Sequence, residues 1–133
     1  MKYLLDTNII IYFMKGNYPK VASRFAKTHR VSIAIPTPAI SELEYGARKS
    51  GSYEKRMELY GEFCRKFKSV SFDRKAANFY GAIRDDLEKR GLIIGEIDMF
   101  IAAIALANHY VLVTHNVREF SRVKGLKIQD WTI

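Results

Sequence analysis

What this 133-residue chain lacks narrows its chemistry early. It has one cysteine, Cys64, so no disulfide can form within the chain and a cysteine-built zinc site is excluded. A lone thiol suits a reducing compartment, and a cytoplasmic protein is expected. Only three histidines occur, His29, His109 and His115, and they show no metal-ligand spacing. His115 reads as a surface-loop residue. Three prolines leave no proline-rich tract, and no linker, repeat or low-complexity segment interrupts the chain. Long apolar runs are also missing. The longest, "MFIAAIALANHYVLV", is shorter than a bilayer span and contains Asn108 and His109, so no membrane segment is expected. Near the amino terminus Asp6 interrupts the apolar residues and no small-residue cleavage site follows, so this is not read as a signal peptide. Acids are scarce: 14 Asp and Glu face 22 Lys and Arg, for a formal net charge of +8. That balance favours a polyanionic partner, most simply a nucleic acid, though an acidic protein partner or solubility alone would also account for it.

What is present is a globular composition, 48% apolar and 27% charged, at the size of one domain. Strand and helix patterns alternate. "KYLL", "VSIAIP", "KSVSF", "YVLVT" and a weaker "LKIQDW" read as strands. Between them, "TNIIIYFMK" has Thr7 or Asn8 as a cap and Gly16 as its end. Pro19 opens a helix, and Thr37 with Pro38 reads as a cap followed by the first helical residue. "YEKRMELYGEFCRKF" is amphipathic. Asp73 caps a helix whose stripe is Ala76, Tyr80, Ile83 and Leu87, and Gly91 closes it. "EIDMFIAAIALANH" is apolar nearly all round, so it is a buried helix. This alternation predicts an α/β fold with one parallel sheet and helices on both faces. Functional groups in such folds gather beyond the carboxyl ends of the strands, where Asp6 and "THN" stand.

Most acids have an ordinary explanation. Asp85 with Lys89, Asp86 with Arg90, and Glu44 with Arg48 make pairs four residues apart, and Glu54, Glu58 and Glu62 share an exposed stripe. Three acids stand apart. Glu42 has no cation at helical spacing. Asp98 is the only charged residue from Ile97 to Ala107, although an acid in a first helical turn also suits the helix dipole. Asp6 serves equally as a helix cap. Brought together, the three would repel unless a divalent cation neutralised them, and oxygen ligands select Mg²⁺ or Mn²⁺. Carboxylate-held metal in a basic protein points to phosphodiester chemistry.

"LLDTNIIIYFMKG", "ISELEYGARKS", "IGEIDMFIAAIALA" and "LVTHNVREFSRVKGLKIQDW" resemble, in that order, the blocks of PIN-domain ribonucleases, and most closely the VapC toxins of toxin–antitoxin modules. The resemblance spans residues 1–133 and implies a single PIN domain. It implies a three-layer fold with a five-stranded parallel sheet of order 3-2-1-4-5. It carries the family's acidic cluster onto Asp6, Glu42 and Asp98. The fourth place is divided: Asn116 stands where many members have Asp, and Glu119 in "NVREF" is the substitute, with pairing to Arg122 as its ordinary reading. Asn8, Thr114 and Asn116 are implied as residues that hydrogen-bond around the ligands. The implied activity is a Mg²⁺- or Mn²⁺-dependent endoribonuclease acting on transfer RNA or another structured RNA, inhibiting translation. Arg84, Arg118, Arg122 and Lys124 are candidates for holding the RNA backbone. Tyr12, Phe13 and Tyr45 are candidates for stacking or for core. The implied partners are a VapB-type antitoxin, with the apolar "NIIIYFM" surface as its candidate groove, and a second toxin copy within a larger assembly. The rival reading is a catalytically silent PIN-like module that binds RNA or protein.

Overall fold

The computed structural model describes all residues, Met1–Ile133. Strand β1 (Tyr3–Leu5) enters α1 (Thr7–Lys15) directly through Asp6, and Gly16 ends that helix at φ 69°, a left-handed turn that glycine adopts without cost. Helix α2 (Pro19–Lys27) comes next, with its proline in the first turn, where a missing N–H is harmless. Strand β2 (Ile33–Pro36) leads into α3 (Thr37–Lys49) and α4 (Tyr53–Cys64). Strand β3 (Lys68–Val70) precedes α5 (Arg74–Lys89) and α6 (Glu96–Asn108). Strand β4 (Val111–Val113), the single-turn α7 (Val117–Phe120) and β5 (Ile128–Gln129) complete the chain.

The five strands form one sheet of order β3-β2-β1-β4-β5, and every pairing is parallel. Parallel neighbours need a crossover, which the intervening helices supply, and those helices cover the sheet. The central strands are accordingly apolar throughout: Leu4, Leu5, Ile35, Leu112 and Val113 are fully buried. Helix α6 is buried over most of its circumference, from Met99 to Ala107, as its uniform hydrophobicity predicts. No helix is long and apolar enough to cross a membrane.

Local expectations hold with small shifts. Asp73 caps α5, accepting from the Ala76 N–H at 3.0 Å. The cap of α3 is Pro36 rather than Thr37, so Pro38 is the second helical residue. Val31 and Ser32 form a 3-10 turn with Arg30 instead of extending β2, and Val31 is exposed. Glu44 does not pair with Arg48. It accepts from the Tyr53 hydroxyl at 2.8 Å, while the Arg48 guanidinium lies 4.2 Å from the Tyr53 ring centroid. The pairs Lys89–Asp85 and Arg90–Asp86 form as expected.

Residues at the carboxyl terminus hold the short last strand in place. Trp131 is fully buried, edge-on to Tyr3 and Phe25 with centroids 5.3 Å away in each case. Its Nε1–H donates to Gln129 Oε1 at 3.1 Å, and Arg24 donates to the same oxygen at 2.7 Å. Replacing Trp131 with Ala is expected to destabilise the protein by about 3–5 kcal/mol, through lost burial and the cavity left behind. The measurement is urea unfolding followed by far-UV circular dichroism.

Candidate functional site

The site is built where β1 and β4 end side by side. Parallel pairing of Leu5 with Val113 continues one step further, because the Asp6 N–H donates to the Val113 carbonyl at 2.9 Å. The chain order reverses at this edge of β1, so the crossovers from β1 and β4 leave in different directions and open a crevice. Asp6 caps α1 at that crevice and is buried, 5% exposed. Both its carboxylate oxygens are held: Oδ1 accepts from the Thr7 N–H at 2.8 Å, and Oδ2 from the Thr114 hydroxyl at 2.8 Å. Burial pushes the Asp6 carboxyl above its ordinary pKa, with the hydrogen bonds from Thr114 and Thr7 working against it and the charge of Glu42 adding to it.

Two hydroxyls organise the acids. Thr114, fully buried, bonds Asp6 and also accepts from the Asn116 N–H at 3.0 Å. Thr7 donates its hydroxyl to Glu42 Oε1 at 2.5 Å, joining the start of α1 to α3. The sequence reading offers Thr7 only as a cap and misses this link to Glu42. The signal for it lies in "LDTN", where a threonine beside an acid keeps its hydroxyl free once the acid takes over the cap. Asn8 is exposed, and no side-chain hydrogen bond ties it to the acids.

Asp98 lies in the first turn of α6, half-buried, and its pKa is pushed up to about 7. Burial is the main cause, followed by the negative charges of Asp6, Glu42 and Glu119. The same electrostatics place Glu119 within reach of Asp98. Arg122 does not neutralise it, since its guanidinium reaches the Leu92 and Ile93 carbonyls at 3.5 and 3.2 Å. Asn116 contributes its backbone N–H to Thr114. Glu96, the other acid at the start of α6, turns to Arg84 at 3.5 Å, leaving Asp98 as the acid that faces the cluster.

None of Asp6, Glu42, Asp98 and Glu119 has a cationic side-chain partner, in a protein rich in cations. The donor set is oxygen only, which fits a hard divalent ion such as Mg²⁺ or Mn²⁺. The acids are near one another without converging into a ready-made cage of three ligands. Glu42 is instead turned to the Thr7 hydroxyl beside Asp6. Among the candidate RNA-binding cations, Arg84 bonds Tyr80 and Glu96, Arg122 bonds backbone carbonyls, and Lys124 lies 3.4 Å from Asp86. Arg118 is exposed and has no acidic partner.

The raised pKa of Asp98 fixes the sign of a pH effect. The unfolded carboxyl titrates at 3.8 and the folded one at about 7, so the native state binds the extra proton between them. Stability of the metal-free protein is expected to fall as pH rises through that window. Asp98→Asn should reduce this slope, to which the raised Asp6 carboxyl also contributes, and stabilise the metal-free protein at about pH 8, on the order of 1 kcal/mol after discounting for solvent screening. Urea unfolding in a chelator, near pH 5.5 and pH 8, reads this out.

Comparison with known proteins agrees with the geometry. The PIN domain family model matches residues 3–126. "Ribonuclease VapC2" of Rickettsia felis is 36% identical over 134 residues, covering 98% of both chains. The "tRNA(fMet)-specific endonuclease VapC" of Shigella flexneri is 35% identical over 132 residues, covering 99% of both. The crystal structure of DNA-bound VapBC from Salmonella typhimurium superposes with a TM-score of 0.92 at 34% identity, covering 98% of each chain. Family model, full-length relatives and shared sheet order coincide, and the chain belongs to the PIN-domain family, within its VapC ribonuclease branch.

Proposed function

We propose that this chain is a Mg²⁺- or Mn²⁺-dependent endoribonuclease, the toxin of a toxin–antitoxin pair, cleaving transfer RNA or another structured RNA and thereby inhibiting translation. The observation that carries the reading is the set of four carboxylates without cation partners at the carboxyl edge of the sheet, in a protein of net charge +8. Asp6, Asp98 and Glu42 are the ligands, with Glu119 as the fourth acid and the Asn116 amide oxygen as a further neutral donor. Asp6, Asp98 and Glu42 would hold a divalent ion whose chemistry when bound would be activation of water and stabilisation of charge on the leaving 3′ oxygen, consistent with 5′-phosphate and 3′-hydroxyl ends.

The remaining residues work on position and charge. Thr114 and Thr7 fix the rotamer of Asp6 and pull Glu42 toward it, so the donors are held before substrate arrives. Asn8, exposed beside Thr7, is available to a substrate or to water. Burial of Asp6 lowers the local dielectric, which strengthens the attraction between its carboxylate and a cation. Arg118 is free to contact phosphate directly. Arg84, Arg122 and Lys124 would exchange intramolecular partners for phosphate, and such contacts add affinity without sequence choice.

The VapBC complexes of relatives support a VapB-type antitoxin as partner. A toxin homodimer within a larger assembly is part of the same proposal. Part of the "NIIIYFM" segment belongs to the core, as Ile9 and Ile10 are fully buried. Ile11 and Met14 instead line a shallow groove with Leu59 and Tyr60, and this is the face we assign to the antitoxin. Residues 1–133 act as one PIN domain, in the cytoplasm.

Pure protein incubated with total RNA and Mn²⁺ is expected to cleave it, and a chelator or Asp6→Asn is expected to abolish cleavage. End mapping should find 5′-phosphates. Thr114→Val should lower Mn²⁺ affinity about 10–100-fold while the acids remain. Equal cleavage by wild type and Asp6→Asn would refute the metal mechanism. RNA binding without any cleavage would establish the silent module instead.

A further inference from the structure

Beside the carboxylates stands a group of rings that metal chemistry does not use. His115 follows Thr114, and its ring centroid is 6.1 Å from that of Tyr12, which is within electrostatic reach of Asp6. Its Nδ1 is 3.0 Å from Asp130 Oδ2 and 2.9 Å from the Thr132 hydroxyl. Thr132 in turn donates its N–H and its hydroxyl to Asp130 Oδ1, at 2.9 and 2.6 Å. The Asp130 side chain is 10% exposed, whereas that of His115 is 45% exposed. An enclosed carboxylate therefore clamps a solvent-facing imidazole through one nitrogen. The sequence suggested a plain surface loop here, because the partners lie beyond the next strand.

Two tyrosines complete the group. The Tyr18 ring centroid is 5.7 Å from the imidazole and 4.7 Å from Tyr12, and Tyr12 stands edge-on to His115 at 6.1 Å. Both tyrosines are half-buried, and Tyr12 lies within electrostatic reach of Asp6 and Asp130 together. Core packing does not require a solvent-facing ring to be clamped. Orientation of an exposed aromatic face does. A strand cleaved at Asp6 must place the bases flanking its phosphate somewhere, and unpaired bases stack on aromatic side chains. A ring already immobilised loses little entropy when a base settles on it.

We propose that Tyr12, Tyr18 and His115, the last held by Asp130 and Thr132, form a stacking subsite for a nucleobase of single-stranded RNA beside the phosphate at Asp6. This rests on the ribonuclease reading and goes beyond it by giving the site a contact to the base as well as to the backbone.

The test uses Asp6→Asn protein in Mg²⁺ and two labelled probes of equal length, oligoadenylate RNA and the same ribose-phosphate backbone without bases. Oligoadenylate is expected to bind about tenfold more tightly than the base-free backbone. Adding Tyr18→Leu or His115→Asn, which keep bulk or polarity but remove the ring, should shrink that preference severalfold. Adding Tyr18→Phe should retain it. Equal binding of the two probes, or an unchanged preference in the ring-less variants, overturns the subsite. Unchanged binding of the base-free probe by the ring variants shows that they remain folded, so a smaller preference for bases reports the loss of the ring. Absence of cleavage by the wild-type protein would overturn the ribonuclease reading separately, and the binding comparison would still decide the subsite.

Discussion

Repulsion among carboxylates at the carboxyl edge of the sheet is the constraint around which this protein is arranged. Asp6 is buried, and burial of Asp98, together with the charges of Asp6, Glu42 and Glu119, pushes Asp98 up to about 7. Uncompensated, such an arrangement opposes folding. The fold tolerates it by holding Asp6 through two hydrogen bonds and by surrounding it with rigid apolar elements that cannot relax away. Helix N-termini help as well: Asp6 caps α1 and Asp98 sits in the first turn of α6, where the peptide dipoles favour negative charge.

Topology explains why these residues meet. Four sequence-distant segments reach one edge because all strands run parallel and share a carboxyl side. Asp6 and Thr114 are 108 residues apart in the chain and 2.8 Å apart in space. The link between them follows from the pairing of β1 with β4, and that pairing depends on the apolar strands being covered on both faces. The carboxyl-terminal segment contributes twice: Trp131 anchors it into the core, and the neighbouring Asp130 and Thr132 hold His115. Stability and site geometry are coupled there through adjacent residues.

Much of this is legible in the sequence. The strand and helix pattern follows from hydrophobic periodicity, which local sequence carries, and the differences fall at ends, such as the cap of α3 and the 3-10 turn at Arg30–Ser32. Glu42 and Asp98 stand out because neither has a cation within one helical turn, and Asp6 because it stands between two apolar runs. That criterion works when partners are local, as for Asp85 and Lys89. It fails for Arg122, which reaches backbone carbonyls across the chain, and for Glu44, whose tyrosine partner lies on the next helix.

The sequence by itself determined the α/β class, the basic character, the family blocks and the three isolated acids, since each is written in composition or in spacing along a single element. Only the tertiary structure decided which hydroxyls hold the acids, that Arg122 leaves Glu119 free, that three of the four candidate RNA-binding cations already have partners, and that His115 is clamped among tyrosines. These depend on long-range contacts between side chains from different elements. Such contacts have no local periodicity to betray them, because they are set by how the parallel sheet brings its strand ends together.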